Sequence, residues 1–231
     1  MILKREGLVV NRKRTERIYR EEKLALRTKK HKKRPTIRIS MPPATVANQV
    51  WAMDFIEDRF MDGRKLKAYT LIDEYTKESL AIEIDTSMGG QRVAQVLEQV
   101  ASLRGHPQSI RSDNGPEFTG KALFNWTDSN NVTHMFIEPG KPTQNPFIES
   151  FHDKFRKDFL NENWFAILKV ARAKAAEWRQ TYNEFRPHST LDGLTPCEFA
   201  RRLLLKGQFK DHDNVEQQQQ MAPKTLLITG T

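Results

Sequence analysis

Cysteine is nearly missing from this 231-residue chain: Cys197 stands alone, so no disulfide forms within the sequence and no zinc site of paired thiolates is available. Long apolar runs are missing too, which argues against a transmembrane helix. The opening MILKREGLVVNRKR has no continuous apolar stretch of the kind a secretory leader needs. These absences point to a reducing, intracellular setting. A mean hydropathy of −0.68 shows a well-solvated chain, yet 38% hydrophobic residues suffice for one medium α/β core.

Negative charge is scarce in one place only. Residues 1–40 hold fifteen Lys/Arg against four Glu, a net of +11, so the other residues carry −2 of the chain's +9. Such an arm can neutralise phosphates, each contact steepening the salt dependence of binding by about 0.9 in log–log slope. Residues 12–26 read as a basic helix capped by Asn11, with Ile18, Tyr19 and Leu26 on one side. Arg12, Lys13 and Arg14 on that helix, and Lys29, Lys30, Lys32, Lys33 and Arg34 in the run after it, are the candidate phosphate contacts. A solvated tail is the plain alternative for such a run.

Pro35 and the pair Pro42-Pro43 mark a linker, after which the pattern changes. Residues 50–56, 66–72 and 79–84 alternate as strands, the first two joined by a hairpin-type turn at Asp62-Gly63, and form an antiparallel meander. Val93, Val96, Leu97, Val100 and Leu103 predict a helix over 92–103. Strand four follows at 109–112, then a helix over 116–128 and strand five at 132–137. The order βββαβαβα is that of an α/β, ribonuclease-H-like fold: a five-stranded mixed sheet with helices on both faces. Beyond it, Phe147, Phe151, Phe155 and Phe159 recur every four residues in a helix over 147–160. A further helix spans 165–182, and Thr195-Pro196 caps a last one. The chain thus divides into a basic arm (1–40), a core (46–206) and a polar, Gln-rich tail (207–231).

Three acids stand out. Asp54 lies within the first strand, where a buried charge needs a partner or a metal. Asp113 ends strand four and precedes Asn114-Gly115-Pro116, at the carboxyl edge where open α/β sheets bind ligands. Glu149 opens the phenylalanine-rich helix, with 35 residues between it and Asp113. Carboxylates from separate elements, without clustered His or Cys, suit a hard divalent cation: Mg²⁺, with Mn²⁺ as substitute. Taken singly, an Asp before Asn-Gly is ordinarily a turn residue and a helix-opening Glu merely suits the helix dipole. His152 has no partner at zinc-ligand spacing. Asn114 shapes a turn, Trp51, Trp126 and Trp178 are core, and His188 is a structural contact near the site.

The runs Trp51-Ala52-Met53-Asp54-Phe55, Ile110 to Phe118, Pro139 to Asn145 and Phe147-Ile148-Glu149-Ser150-Phe151 share one pattern with Tyr182-Asn183 and Arg186-Pro187-His188-Ser189. From about residue 46 to 201 the chain resembles the bacterial insertion-sequence transposases, of the second-frame type, whose catalytic core is similar to that of retroviral integrases. The resemblance implies a DDE triad of Asp54, Asp113 and Glu149, two Mg²⁺ ions, and DNA cleavage with strand transfer. It implies DNA partners (element ends and target), a homo-oligomer when active, and an upstream-frame DNA-binding protein fused or associated. It places a basic residue two turns past the glutamate, here Arg156, and makes the amino-terminal arm part of a helix-turn-helix region. The expected setting is bacterial cytoplasm, at the nucleoid. On the loop before Glu149, the candidate DNA contacts are Lys141, Thr143, Gln144 and Asn145. The arm is shorter than the family's usual domain, Pro146 stands where the family has a small residue, and the tail after Gly207 matches nothing in it. A non-catalytic DNA-binding regulator is the alternative from another class, and a plain ribonuclease-H-type nuclease the third.

Overall fold

The computed structural model describes residues 7, 12–22, 24, 43–137 and 145–205 of the chain. Its first element, helix α1 (Arg12–Glu21), is shorter than the expected 12–26. Glu21 and Glu22 sit at its carboxyl end, where negative charge opposes the helix dipole, and the backbone turns there. Ile18, Tyr19 and Leu24 are exposed. Asn11, Leu26, the basic run at 29–34 and the tail from 206 onward lie outside the described residues.

Strands β1 (Val50–Arg59), β2 (Lys65–Asp73) and β3 (Ser79–Asp85) form the meander. β1 outlasts its apolar run because Glu57, Asp58 and Arg59 still find partners in β2, with Lys65 and Glu57 paired at 2.6 Å. Helix α2 (Gly90–Arg104) crosses back to β4 (Ser109–Ser112). Ala101 takes the buried place expected of Leu103, which is 89% exposed. The single helix expected over 116–128 is two, α3 (Pro116–Thr119) and α4 (Lys121–Ser129), broken where Gly120 is extended. β5 (Thr133–Phe136) completes a sheet of order β3-β2-β1-β4-β5. β1 pairs antiparallel with β2 and parallel with β4, so the strands carrying Asp54 and leading to Asp113 are central neighbours.

Alternation along β1 sends Trp51 and Met53 into one core with α2 and α4, and Ala52 and Ile56 into the other. The second core is filled by Ile148, Phe151 and Phe155 of α5 (Pro146–Phe155), then Phe159 and Tyr182. After α5 the helix widens into a π turn, Arg156–Leu160, where the Asn161 N–H reaches the Arg156 carbonyl at 2.9 Å. Helix α6 (Leu168–Glu184) starts later than the expected 165, because the Phe165 carbonyl accepts the Met61 N–H at 2.9 Å. Asn183 on α6 grips the Ser79 backbone in both directions, at 2.8 and 2.9 Å, and so covers the β3 edge. A capping box between Thr195 and Glu198 opens α7 (Pro196–Leu205). Among the described residues no helix is long and apolar enough to cross a membrane.

Candidate active site

Asp54 lies between Ala52 and Ile56 in β1 and therefore faces the α5 side of the sheet. Its Oδ1 accepts the Phe55 N–H at 2.7 Å. Thr70, its register partner in β2, donates its hydroxyl to the Asp54 carbonyl at 3.1 Å and meets His152 Nε2 at 2.7 Å. His152 Nδ1 faces Asp54 Oδ2 at 3.7 Å, beyond hydrogen-bond reach. Burial above all, with Arg156 beside it, pushes His152 down to about 4, so it brings no positive charge to Asp54.

The β1–β4 register pairs Ala52 with Arg111, and two further steps along both strands bring Asp54 level with Asp113. Asp113 Oδ1 accepts the Gly115 N–H at 3.0 Å, and Asn114 Nδ2 donates to the Ile137 carbonyl at 2.8 Å, so Asn114 shapes the turn. A Cβ at 115 would come 3.1 Å from Asp113 Oδ1 and 3.2 Å from Glu117 Oε2, so any larger residue there would press on both carboxylates. Glu117 is neutralised by Lys67, whose ammonium also lies 4.0 Å from the Phe55 ring centroid.

Glu149 stands exposed in the first turn of α5, its N–H bonded to the Asn145 carbonyl at 3.3 Å. Pro146 suits this entry, because the first helical position needs no N–H donor. Burial, and the charges of Asp113 and Glu149, hold the Asp54 carboxyl up to about 6, against the lowering pull of the Phe55 N–H. Burial and Asp153 raise Glu149. Among the described residues no Lys or Arg pairs with any of the three, and no three His, Cys, Asp or Glu stand close enough to ligate one ion together. The acids share one end of one sheet face without forming a closed ligand shell.

The candidate DNA contacts fare differently. Asn145 is buried, 2% exposed, with its Oδ1 unpartnered among the described residues, so it lies inside the fold rather than on the loop surface. Arg156 is exposed and donates to the Glu57 carbonyl at 3.2 Å. Lys13 and Arg14 lie on the exposed side of α1, Arg12 opens it, and Lys29, Lys30, Lys32, Lys33, Arg34, Lys141, Thr143 and Gln144 are outside the described residues. Thr70 and Glu74 escape sequence reasoning. Glu74 pairs with Arg111 at 2.6 Å, both buried, tying β4 to the β2–β3 turn beneath Asp113. An Arg two residues before Asp113 and a Glu after Asp73 are too ordinary a pattern to flag this pair.

A family model described as "Integrase core domain" matches residues 44–142, and a second of the same description matches residues 130–196. The chain is 46% identical over 204 residues to the "Insertion element IS407 uncharacterized 31.7 kDa protein" of Burkholderia multivorans (strain ATCC 17616 / 249), covering 87% of this chain and 73% of that one. It is 42% identical over 200 residues to the "Insertion element IS476 uncharacterized 39.2 kDa protein" of Xanthomonas euvesicatoria, covering 86% of this chain and 58% of that one. Among solved structures, the catalytic core domain of BIV integrase superposes with a TM-score of 0.53 at 18% identity, over 70% of this chain and 99% of that one, which speaks for the fold.

Proposed function

The chain belongs to the insertion-sequence transposases with an integrase-like core, and from that membership we propose that it cuts and joins DNA strands using Asp54, Asp113 and Glu149. One observation carries the reading: burial and the charges of Asp113 and Glu149 raise the Asp54 carboxyl where the central strands β1 and β4 run side by side, and among the described residues no Lys or Arg pairs with any of the three acids. That arrangement is costly unless a cation compensates it. The donor set fits one. The acids offer hard oxygens, and a neutral His152 beside Asp54 brings no competing positive charge. Asp54 and Asp113 would hold Mg²⁺ or Mn²⁺, two ions in all, with Glu149 completing one shell. Bound there, divalent ions polarise a phosphodiester and lower the pKa of the attacking water.

The residues do the rest. The Phe55 and Gly115 N–H groups fix one oxygen of each aspartate and leave the other toward the substrate. Neutral His152 orients Thr70 and thereby the backbone of Asp54. In-line hydrolysis at the element's end frees a 3′-hydroxyl, which then attacks a target phosphodiester, exchanging one ester bond for another with no outside energy source. DNA is the partner on both counts, a homo-oligomer is the working form, and the bacterial cytoplasm is the setting.

The test is to incubate the purified chain with labelled terminal-repeat DNA and Mg²⁺ or Mn²⁺. Wild type gives joined products. Asp54→Asn and Asp113→Asn each lose roughly 10³-fold or more of that rate while keeping the wild-type circular dichroism. Binding without cleavage by wild type would instead support a regulator, and cutting confined to RNA–DNA hybrids a nuclease.

A further inference from the structure

A second site lies on the flank of α5 away from Glu149. A cavity of about 420 Å³ opens between the β2–β3 turn, α5 and the segment that follows α6. Cationic groups enter it from all three: Lys77, Lys154 and Arg186. Among the described residues only Arg186 of these three pairs with a carboxylate, that of Asp158, whose side chain is 38% exposed. Lys77 donates to the Glu74 carbonyl and stands 3.3 Å from the Phe147 ring centroid, while the Glu74 carboxylate is occupied by Arg111.

At the cavity wall His188 is 6% exposed, and its Nε2 is buried without a hydrogen-bond partner among the described residues. A buried polar atom of that kind is ordinarily satisfied by protein or ligand. The local field says which sort of ligand. Burial first, then the charges of Lys154, Arg186 and Lys77, push His188 down to about 4. Burial pulls Lys77 down to about 8, and burial with Arg186 lowers Lys154. Every charge acting on His188 there is positive, while the nearby acids act on the lysines, Glu74 and Asp73 on Lys77 and Asp158 on Lys154. Hydroxyls of Ser150 and Ser189 on its lining suit an oxyanion with several acceptors.

We propose that Lys77, Lys154, Arg186 and His188 form a phosphate site that holds a backbone phosphate of the DNA strand near the cut. Lys154 follows Glu149 by five residues, roughly 7.5 Å along the helix axis. The same five residues carry it about 140° around the axis, so the two side chains leave opposite flanks of α5. The ligand is a phosphodiester rather than a base, because point charges and hydroxyls read phosphate and not sequence. The site rests on the strand-transfer reading of the protein, and it adds a register: α5 carries a metal ligand on one flank and a clamp for the same strand on the other.

The test uses the full chain carrying Asp54→Asn, so that DNA is bound and not cut. Affinity for a fluorescent duplex is measured by anisotropy across a salt series, for that parent and with Lys154→Gln or Lys154→Arg added. Lys154→Gln should flatten the log–log salt slope by about 0.9 and weaken binding several-fold on every sequence alike, while Lys154→Arg keeps both. An unchanged slope in Lys154→Gln, with the melting temperature preserved, overturns the phosphate site and leaves the strand-transfer reading intact. No DNA binding by the parent sinks both. Inorganic phosphate raising the melting temperature of the parent but not of Lys154→Gln, with the DNA slope unchanged, assigns the cavity to free phosphate and overturns the DNA assignment.

Discussion

Asp54 is held in place against its own electrostatics. Burial and two like charges lift its carboxyl to about 6, so at neutral pH the folded chain carries an ionised group it would sooner protonate. A shift of one pKa unit corresponds to about 1.4 kcal/mol, and the residual solvent contact of the side chain reduces what remains to about 1–2 kcal/mol. Asp54→Asn keeps an oxygen for the Phe55 N–H and removes the charge. In EDTA at pH 7 it should therefore unfold about 1 kcal/mol harder than wild type in urea, although it is inactive. Adding Mg²⁺ or Mn²⁺ should raise the melting temperature of wild type and leave Asp54→Asn where it was. A wild type indifferent to both ions would count against metal binding here. Asp113 and Glu149 stood out in the sequence because each sits at a break or boundary, and Asp54 because a charge inside an apolar strand needs a partner. The closeness of Asp54 and Asp113 comes from the parallel pairing of β1 with β4. Thr70 and His152 did not stand out, since a threonine in a strand and a histidine one turn past Glu149 gain meaning only when the sheet and helix meet.

Helix α5 positions Glu149 through its phenylalanines. Spaced every four residues in an α-helix, successive rings drift by about 40° around the axis, because 3.6 residues make a turn. The wider π turn at Arg156–Leu160 rotates the helix back, so that Phe159 still stacks on Phe155, with centroids 4.7 Å apart. Trp178 of α6 meets the edges of Phe151 and Phe155 at 5.6 and 5.0 Å. The sequence repeat announces the seam but not the π turn, which is a tertiary response to keeping that seam buried. The Gly120 break is illegible for a similar reason: α3 and α4 each pack separately against α2, whereas periodicity sees one continuous run. Two substitutions probe these elements. Phe155→Ala should remove about 3–5 kcal/mol of stability in urea titration, and Phe155→Leu much less, with strand transfer falling in the same order as α5 loosens. At Gly90, a Cβ would come 2.7 Å from the Glu117 carbonyl oxygen, a backbone atom that cannot rotate away. Gly90→Ala should cost about 1–3 kcal/mol and displace α3, which begins three residues after Asp113, lowering joined product more than DNA binding. Equal loss of both would mean that α3 does not hold the Asp113 turn.

Over the whole molecule the sheet order follows from connection lengths. Short links force β1, β2 and β3 to lie antiparallel, and the long helical connection through α2 lets β4 return parallel beside β1. That mixed sheet buries titratable groups of both kinds, and their pH effects oppose each other. Glu74, raised to about 7 by burial, and Asp54 bind protons more readily folded than unfolded, so acid favours folding through them. His134, His152 and His188 are pushed down to about 4, chiefly by burial, and bind protons more readily unfolded, so acid disfavours folding through them. The two sets overlap between about pH 4 and 6.5, and the wild-type stability curve there is flatter than either set alone would make it. His134 separates them, because burial alone lowers it; it sits on β5, bonded to Ser112 at 2.9 Å and packed on Phe136. Its folded pKa lies below the unfolded value near 6.5, so its contribution is full above 6.5 and is lost as pH falls toward 4. His134→Gln retains a hydrogen-bonding group and cannot titrate. Urea titrations at steps from pH 7 to pH 4.5 should show wild type losing about 1 kcal/mol relative to His134→Gln across that range, the figure being reduced for partial solvent contact. Parallel curves for the two proteins would mean that His134 is as easily protonated in the sheet as in the unfolded chain.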